Sequence, residues 1–161
     1  MSESPWLPAL VAGLAALAVG AAGGILTTIG PWYRALRNPA WKPPDWAFGP
    51  VWATIFTLCV VSASLAWNAA DHAARSALVA TYGVNAALNI AWSALFFRAE
   101  RPDWAFVELV FLWFSVSALI GVTLPASGLA AVLLTPYLVW VTIAGLLNRS
   151  IVRLNGPFGS A

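Results

Sequence analysis

Five apolar runs, at about 6–30, 46–67, 77–97, 104–123 and 128–150, are each long enough to cross a bilayer, and only short polar breaks separate them. A helical span needs about 20 consecutive apolar residues. A soluble domain of this size could not hide so many: 61% of the 161 residues are hydrophobic and 9% are charged, against roughly 25% charged in an ordinary soluble domain. The bilayer is therefore the solvent for which this chain is built. Uninterrupted apolar length, rich in Ala and Leu, predicts helices, because barrel strands would alternate over about ten residues. The expected fold is an all-α membrane protein, a single domain over residues 1–161 folded as a five-transmembrane-helix bundle. The first run has no basic segment before it and exceeds the apolar core of a cleavable signal, about 7–15 residues, so it counts as a span.

The basic residues orient the bundle. With five spans, the N-terminus and the second and fourth connections share one side, where Arg75 is the only basic residue; Arg34, Arg37, Lys42, Arg98, Arg101, Arg149 and Arg153 lie on the other. This bias predicts an N-terminus outside and a C-terminus in the cytoplasm. The net charge of +2 then reflects topology and contact with anionic headgroups. Basic residues scattered singly over three segments give no nucleic-acid footprint.

Ordinary catalytic chemistry finds no foothold. Cys59 is the single cysteine and lies in an apolar run, so it reads as a buried, inert thiol. His72 sits beside Asp71 with no second ligand nearby and reads as solvated. No zinc spacing, nucleophile–base pair or phosphate-binding glycine loop is present, so neither a metal site nor an obligatory cofactor is expected. Glu108 is the one acid well inside a span. Intramembrane acids are functional candidates by default, but Glu108 is close enough to the surface to reach back toward Arg101, the reading favoured here.

The connection between the first two spans is the most unusual stretch. Residues 38–52 hold Trp41, Trp46 and Trp52 together with Pro39, Pro43, Pro44 and Pro50. Adjacent prolines forbid a helix through 39–44 and stiffen an extended turn. Trp32 and Trp46 suit headgroup-level anchors, whereas the proline-clamped Trp41 suits a rigid lid over a site.

Helical rise then brings several polar and aromatic residues to one depth. At 1.5 Å per residue, Trp52 lies about 10 Å in from Asp45, and Asn89 and Trp92 roughly 7–12 Å in from the other end of the third span. Ala144, Leu147 and Asn148 of the fifth span fall at similar depth, with Trp140 somewhat deeper. Asn89 and Asn148 could act as polar glue between helices, accepting from deep indole N–H groups. Equally, wide aromatic faces with a few fixed polar groups suit a pocket for a flat, largely apolar ligand. Small-residue ladders, Ala12, Ala16, Gly20 and Gly24 in the first span and Gly83, Ala87 and Ala91 in the third, allow close helix packing within the bundle or across a dimer.

The chain resembles the translocator protein family, the tryptophan-rich sensory proteins also called peripheral benzodiazepine receptors. The resemblance covers essentially all five spans. It rests on Asn38-Pro39-Ala40-Trp41-Lys42-Pro43-Pro44 with Trp46, Gly49-Pro50-Val51-Trp52, Ala87-Leu88-Asn89-Ile90-Ala91-Trp92 with Phe96-Phe97, and Pro136-Tyr137-Leu138-Val139-Trp140 with Leu147-Asn148. It implies a bacterial, inner-membrane porphyrin-binding protein that acts as a sensor or regulator of porphyrin and stress metabolism. Transport of porphyrins or other lipophilic ligands, or an enzyme-like light-dependent porphyrin breakdown, are the alternatives. The implied ligands are protoporphyrin IX or a related tetrapyrrole and synthetic isoquinoline carboxamides or benzodiazepines, and the implied assembly is a homodimer. The implied binding residues are Trp41 (over the site), Trp52, Asn89, Trp92, Trp140, Ala144 and Leu147, with Trp52 and Trp140 as possible photochemical groups. One departure argues against cholesterol: Arg149 stands where the sterol motif of animal members has tyrosine, and Tyr137 is too far from Arg149 to replace it.

Overall fold

The computed structural model describes residues 4–159, and among these the architecture is entirely helical. Five helical segments are long and apolar enough to span a membrane. The first, α1 (Leu7–Leu26), opens with a proline in its first turn and ends sooner than its apolar run. Thr27 closes it, with its hydroxyl donating to the Gly23 carbonyl at 2.8 Å. An extended stretch then leads through Gly30 into a short helix, α2 (Pro31–Ala35).

After the proline-rich turn, α3 (Asp45–Ala69) starts directly behind Pro44, with Asp45 in its first turn where the positive end of the helix dipole favours a carboxylate. The next helix, α4 (His72–Ser93), begins five residues before the predicted 77. Asp71 caps it, its carboxylate accepting from the Ala74 N–H at 2.8 Å, so the polar stretch after Asn68 is mostly helix instead of loop. At its far end α4 widens into one turn of π-helix over Ala94–Arg98.

Pro102 starts α5 (Pro102–Thr123). The fifth span is two helices instead of one unbroken run over 128–150: α6 (Gly128–Leu133), capped by the Ser127 hydroxyl, and α7 (Thr135–Asn155), which continues past residue 150. Pro136 explains the break, because it lacks the N–H that would reach Val132. The Thr135 hydroxyl accordingly donates to the Val132 carbonyl at 2.7 Å.

The main core joins Ile55 of α3, Leu109, Leu112 and Val116 of α5, and Tyr137 and Val141 of α7, with Leu88 and Trp92 of α4 packed against it. A second cluster at the end bearing the first connection joins Leu36, Phe96, Ala105, Leu147 and Ile151. The connection is pinned there: Asn155 accepts from the Arg37 N–H and donates to the Arg37 carbonyl, both at 2.8 Å. By contrast, α1 lies against α3 and α4 with no fully buried residue. Ala12, Gly13, Ala16, Gly20 and Gly23 face the bundle, while Leu10 and Leu14 point outward.

The Asp71 cap generates a prediction. Asp71→Ala should cost about 1 kcal/mol of unfolding free energy in detergent, with faster hydrogen exchange at the Ala74 amide. An Ala74 amide as protected as in the parent would remove the cap from the account.

Candidate functional site

A cavity of about 930 Å³ opens between α1, α3, α4 and α7 at the end that carries the first connection. That volume is within the range of ligand sites, roughly 300–1,000 Å³. The small residues of α1, among them Gly13, Ala16, Gly20 and Gly23, form one wall. A Cβ at Gly20 would lie 3.4 Å from the Phe56 ring, so the glycine lets α1 approach while leaving space beside it. The facing walls carry Phe48, Trp52 and Phe56 from α3, Asn89 and Trp92 from α4, Leu109 and Leu112 from α5, and Trp140, Ala144, Leu147 and Asn148 from α7. Trp52, Asn89, Trp92, Trp140, Ala144, Leu147 and Asn148, expected at one depth from helical rise, all line this one cavity.

Two hydrogen-bond systems hold the walls in place. In the first, the Asn89 amide donates to the Tyr137 hydroxyl at 3.1 Å, Tyr137 donates to the Asn85 carbonyl oxygen at 3.2 Å, and the Asn85 amide donates to Ser115 at 2.8 Å. Ser115 closes the chain on the Leu112 carbonyl at 2.7 Å. In the second, Asn148 accepts from the Trp92 indole N–H at 3.1 Å and donates to the Pro102 carbonyl at 2.7 Å. Asn148 is 1% exposed, so one side chain joins α7, α4 and α5 where water cannot compete. Both amides tie helices together: Asn148 accepts from the Trp92 indole as expected, whereas Asn89 engages the Tyr137 hydroxyl instead of an indole.

Aromatic faces line the interior. Trp52 stacks on Phe56 at 5.5 Å and meets Tyr137 edge-on at 5.9 Å; Trp140 meets Phe48 edge-on at 5.5 Å. Trp92 stacks on Phe96 at 5.2 Å. Among the described residues, the indole N–H groups of Trp52 and Trp140 have no hydrogen-bond acceptor, unlike those of Trp92 and Trp113.

A polar cluster sits at the mouth. The Lys42 ammonium donates to Asp45 Oδ1 at 2.6 Å, the Tyr33 hydroxyl donates to the same oxygen at 2.9 Å, and the ammonium lies 5.0 Å from the Tyr33 ring centre. Burial, the largest influence on it, lifts the Tyr33 phenol above its ordinary pKa. For Lys42, burial is again the largest single influence and works against the charge, but the Asp45 and Tyr33 oxygens together outweigh it and raise the pKa.

Several sequence expectations change. Trp41 does not line the cavity; it is 51% exposed. A turn closed by Lys42 N–H to the Pro39 carbonyl at 3.0 Å sends Trp41 outward and Lys42 inward. Trp46 is 76% exposed on the outer surface, whereas Trp32 packs edge-on against Phe96 at 6.0 Å. Glu108 does not reach Arg101, whose guanidinium is held by Asp103 at 2.6 and 2.8 Å. Both Glu108 carboxylate oxygens are buried with no partner among the described residues. His72 is exposed at the start of α4, and Cys59 is half-buried against the main core. No group of three or more His, Cys, Asp or Glu able to hold a metal exists among the described residues.

The residues missed from sequence are Phe48, Phe56, Phe96, Phe97 and the mouth cluster. The π-turn brings both Phe96 and Phe97 to the cavity, with Phe97 5.6 Å from Tyr33. Such turns often occur at functional sites, but an apolar run carries no signal for one.

A bundle of five spans around a tryptophan-walled cavity defines a class of integral membrane proteins, and the chain's relatives say which. The profile of the TspO/MBR family matches residues 11–154, and this chain belongs to that family. It is 36% identical to protein CrtK of Rhodobacter capsulatus over 143 residues, 88% of this chain and 89% of the relative. Over 156 residues it is 35% identical to the translocator protein of Homo sapiens, covering 94% and 92%. A tryptophan-rich sensory protein of Cereibacter sphaeroides is 32% identical over 142 residues, 88% of each chain.

Asn148→Ala should lower unfolding free energy by about 1–2 kcal/mol, since it strips the Trp92 indole of its acceptor inside the bundle. An unchanged unfolding midpoint in detergent would show that the bridge does not hold α7 to α4.

Proposed function

We propose that this protein binds a tetrapyrrole such as protoporphyrin IX in the cavity and acts as a sensor or regulator of porphyrin and stress metabolism. The observation that carries this reading is the pairing of a large aromatic-walled cavity with two unpaired indole donors, from Trp52 and Trp140. A flat conjugated ring gains contact with the rings of Trp52, Phe56 and Trp140, and the fixed polar atoms orient it. The same walls suit the aromatic isoquinoline carboxamides and benzodiazepines that the family resemblance implies. In this reading the protein lies in a bacterial inner membrane with its N-terminus outside. The cavity mouth then faces the cytoplasm, as the basic residues around it favour.

Fluorescence titration with protoporphyrin IX in the dark tests this directly. Saturable binding by the parent, weakened at least about tenfold in Trp52→Ala through loss of a large apolar contact, is the expected result. Trp41→Ala should change affinity by no more than about twofold, as for a surface substitution. If Trp41→Ala abolishes binding while Trp52→Ala does not, the ligand sits on the outer loop.

A second reading, light-dependent breakdown of the bound porphyrin, is favoured by the presence of two easily oxidised indoles in the wall. Trp140→Phe keeps a flat apolar surface and should retain dark binding while losing most product formation under illumination. Equal product formation by both proteins leaves Trp140 as packing.

Self-association through α4 completes the proposal. Gly83 and Ala87 are exposed on the side of α4 away from Trp92, and a Cβ at Gly83 would meet nothing within 4 Å. Ala87→Leu should shift a detergent-solubilised dimer toward monomer by blocking close helix approach. A dimer that survives Ala87→Leu but dissociates in Gly20→Leu places the interface on α1.

A further inference from the structure

The wall of the main cavity carries charged side chains only at its mouth, where Lys42 is the only basic residue and Asp45 the only acidic one among the lining residues. The Lys42 side chain is 16% exposed, so its ammonium is turned in toward the cavity mouth and away from open solvent. It donates to Asp45, and the Tyr33 hydroxyl oxygen also lies beside it. An ammonium carries three donors, so at least one is left for a ligand. The backbone that aims it is stiff: the Pro39–Lys42 turn precedes it and Pro43-Pro44 follows.

Asp45 has other support for its carboxylate besides this bond. Its side chain is 47% exposed, it also accepts from Tyr33, and it stands in the first turn of α3, where the helix end stabilises a carboxylate without help from Lys42. Neighbouring oxygens keep the Lys42 pKa above its ordinary range, so the group is an ammonium at neutral pH.

We infer that Lys42 selects ligands bearing an acidic substituent: the flat apolar body enters the cavity, and a carboxylate at its outer edge replaces Asp45 on the Lys42 ammonium. This rests on the proposed tetrapyrrole-binding reading and narrows it to lipophilic carboxylic acids, bound with the acid edge at the mouth and the opposite edge toward Trp52 and Asn89. The arrangement matches the chemistry of such a molecule. Its ring leaves water for aromatic walls, while its charge stays at the rim, where it forms a charge-assisted hydrogen bond with little desolvation.

The test compares protoporphyrin IX with its dimethyl ester, which keeps the macrocycle and lacks the carboxylates. Both are titrated against the full chain in the same detergent, for the parent, Lys42→Met and Lys42→Arg. The quantity read is the diacid-to-diester affinity ratio, because comparing ratios between variants cancels the different partition of the two porphyrins into micelles. The ratio should fall about tenfold in Lys42→Met, the effect of losing one charge-assisted hydrogen bond, and should hold in Lys42→Arg. A ratio unchanged in Lys42→Met overturns the assignment of Lys42 and leaves the cavity reading standing. If the parent binds neither porphyrin, the tetrapyrrole reading itself fails and takes this inference with it.

Discussion

The hydrogen-bonded chain from Asn89 through Tyr137 and Asn85 to Ser115 is the constraint on which the cavity depends. Apolar helices in lipid gain little from touching one another, because the surrounding hydrocarbon is as apolar as they are. Rotation of each helix about its axis is therefore weakly determined unless polar groups must meet. Here they must: a buried amide or hydroxyl without a partner costs more than any rival packing of Leu on Leu returns. The chain ties α4, α5 and α7 at one rotation, and the Trp92–Asn148–Pro102 bridge repeats the constraint nearer the mouth. Once α7 is so turned, Tyr137 meets Trp52, and Trp140, Ala144 and Leu147 face inward.

The space itself comes from α1. A helix with a bulky inner face would collapse onto α3 and α4 and fill the bundle. The inner face of α1 is instead glycine and alanine, so its backbone approaches α3 near Phe56 while leaving room above and below. A second cavity of about 510 Å³ follows the same helix toward the other end, sharing Ala16, Val19, Phe56, Val60 and Asn89 with the first. An apolar void lacks contacts on one side of its lining, so a ligand that fills it regains them. Stability of the parent should therefore depend on ligand through ordinary linkage.

Features that depend on regular repetition were legible in the sequence. Five spans follow from length and polarity, and the grouping of Trp52, Asn89, Trp92, Trp140, Ala144 and Leu147 follows from helical rise and an antiparallel arrangement. Features that depend on a few backbone angles were not. Whether Trp41 or Lys42 points inward is decided by a single turn, and the proline spacing that makes the turn rigid does not say which side chain it presents. The π-turn that recruits Phe96 and Phe97 is invisible in an apolar run. Glu108 was misread because proximity in sequence suggested Arg101, whereas Asp103 engages that guanidinium with both carboxylate oxygens.

The central claim is that a flat ligand occupies the space enclosed by α1, α3, α4 and α7. A structure of the protein with protoporphyrin IX bound tests it most directly. The account predicts the macrocycle inside the cavity, in contact with Trp52 and Trp140 and with Trp41 remaining outside the contact shell. A porphyrin seated on the lipid-facing surface or between two copies of the chain, with the cavity free of it, would contradict the claim.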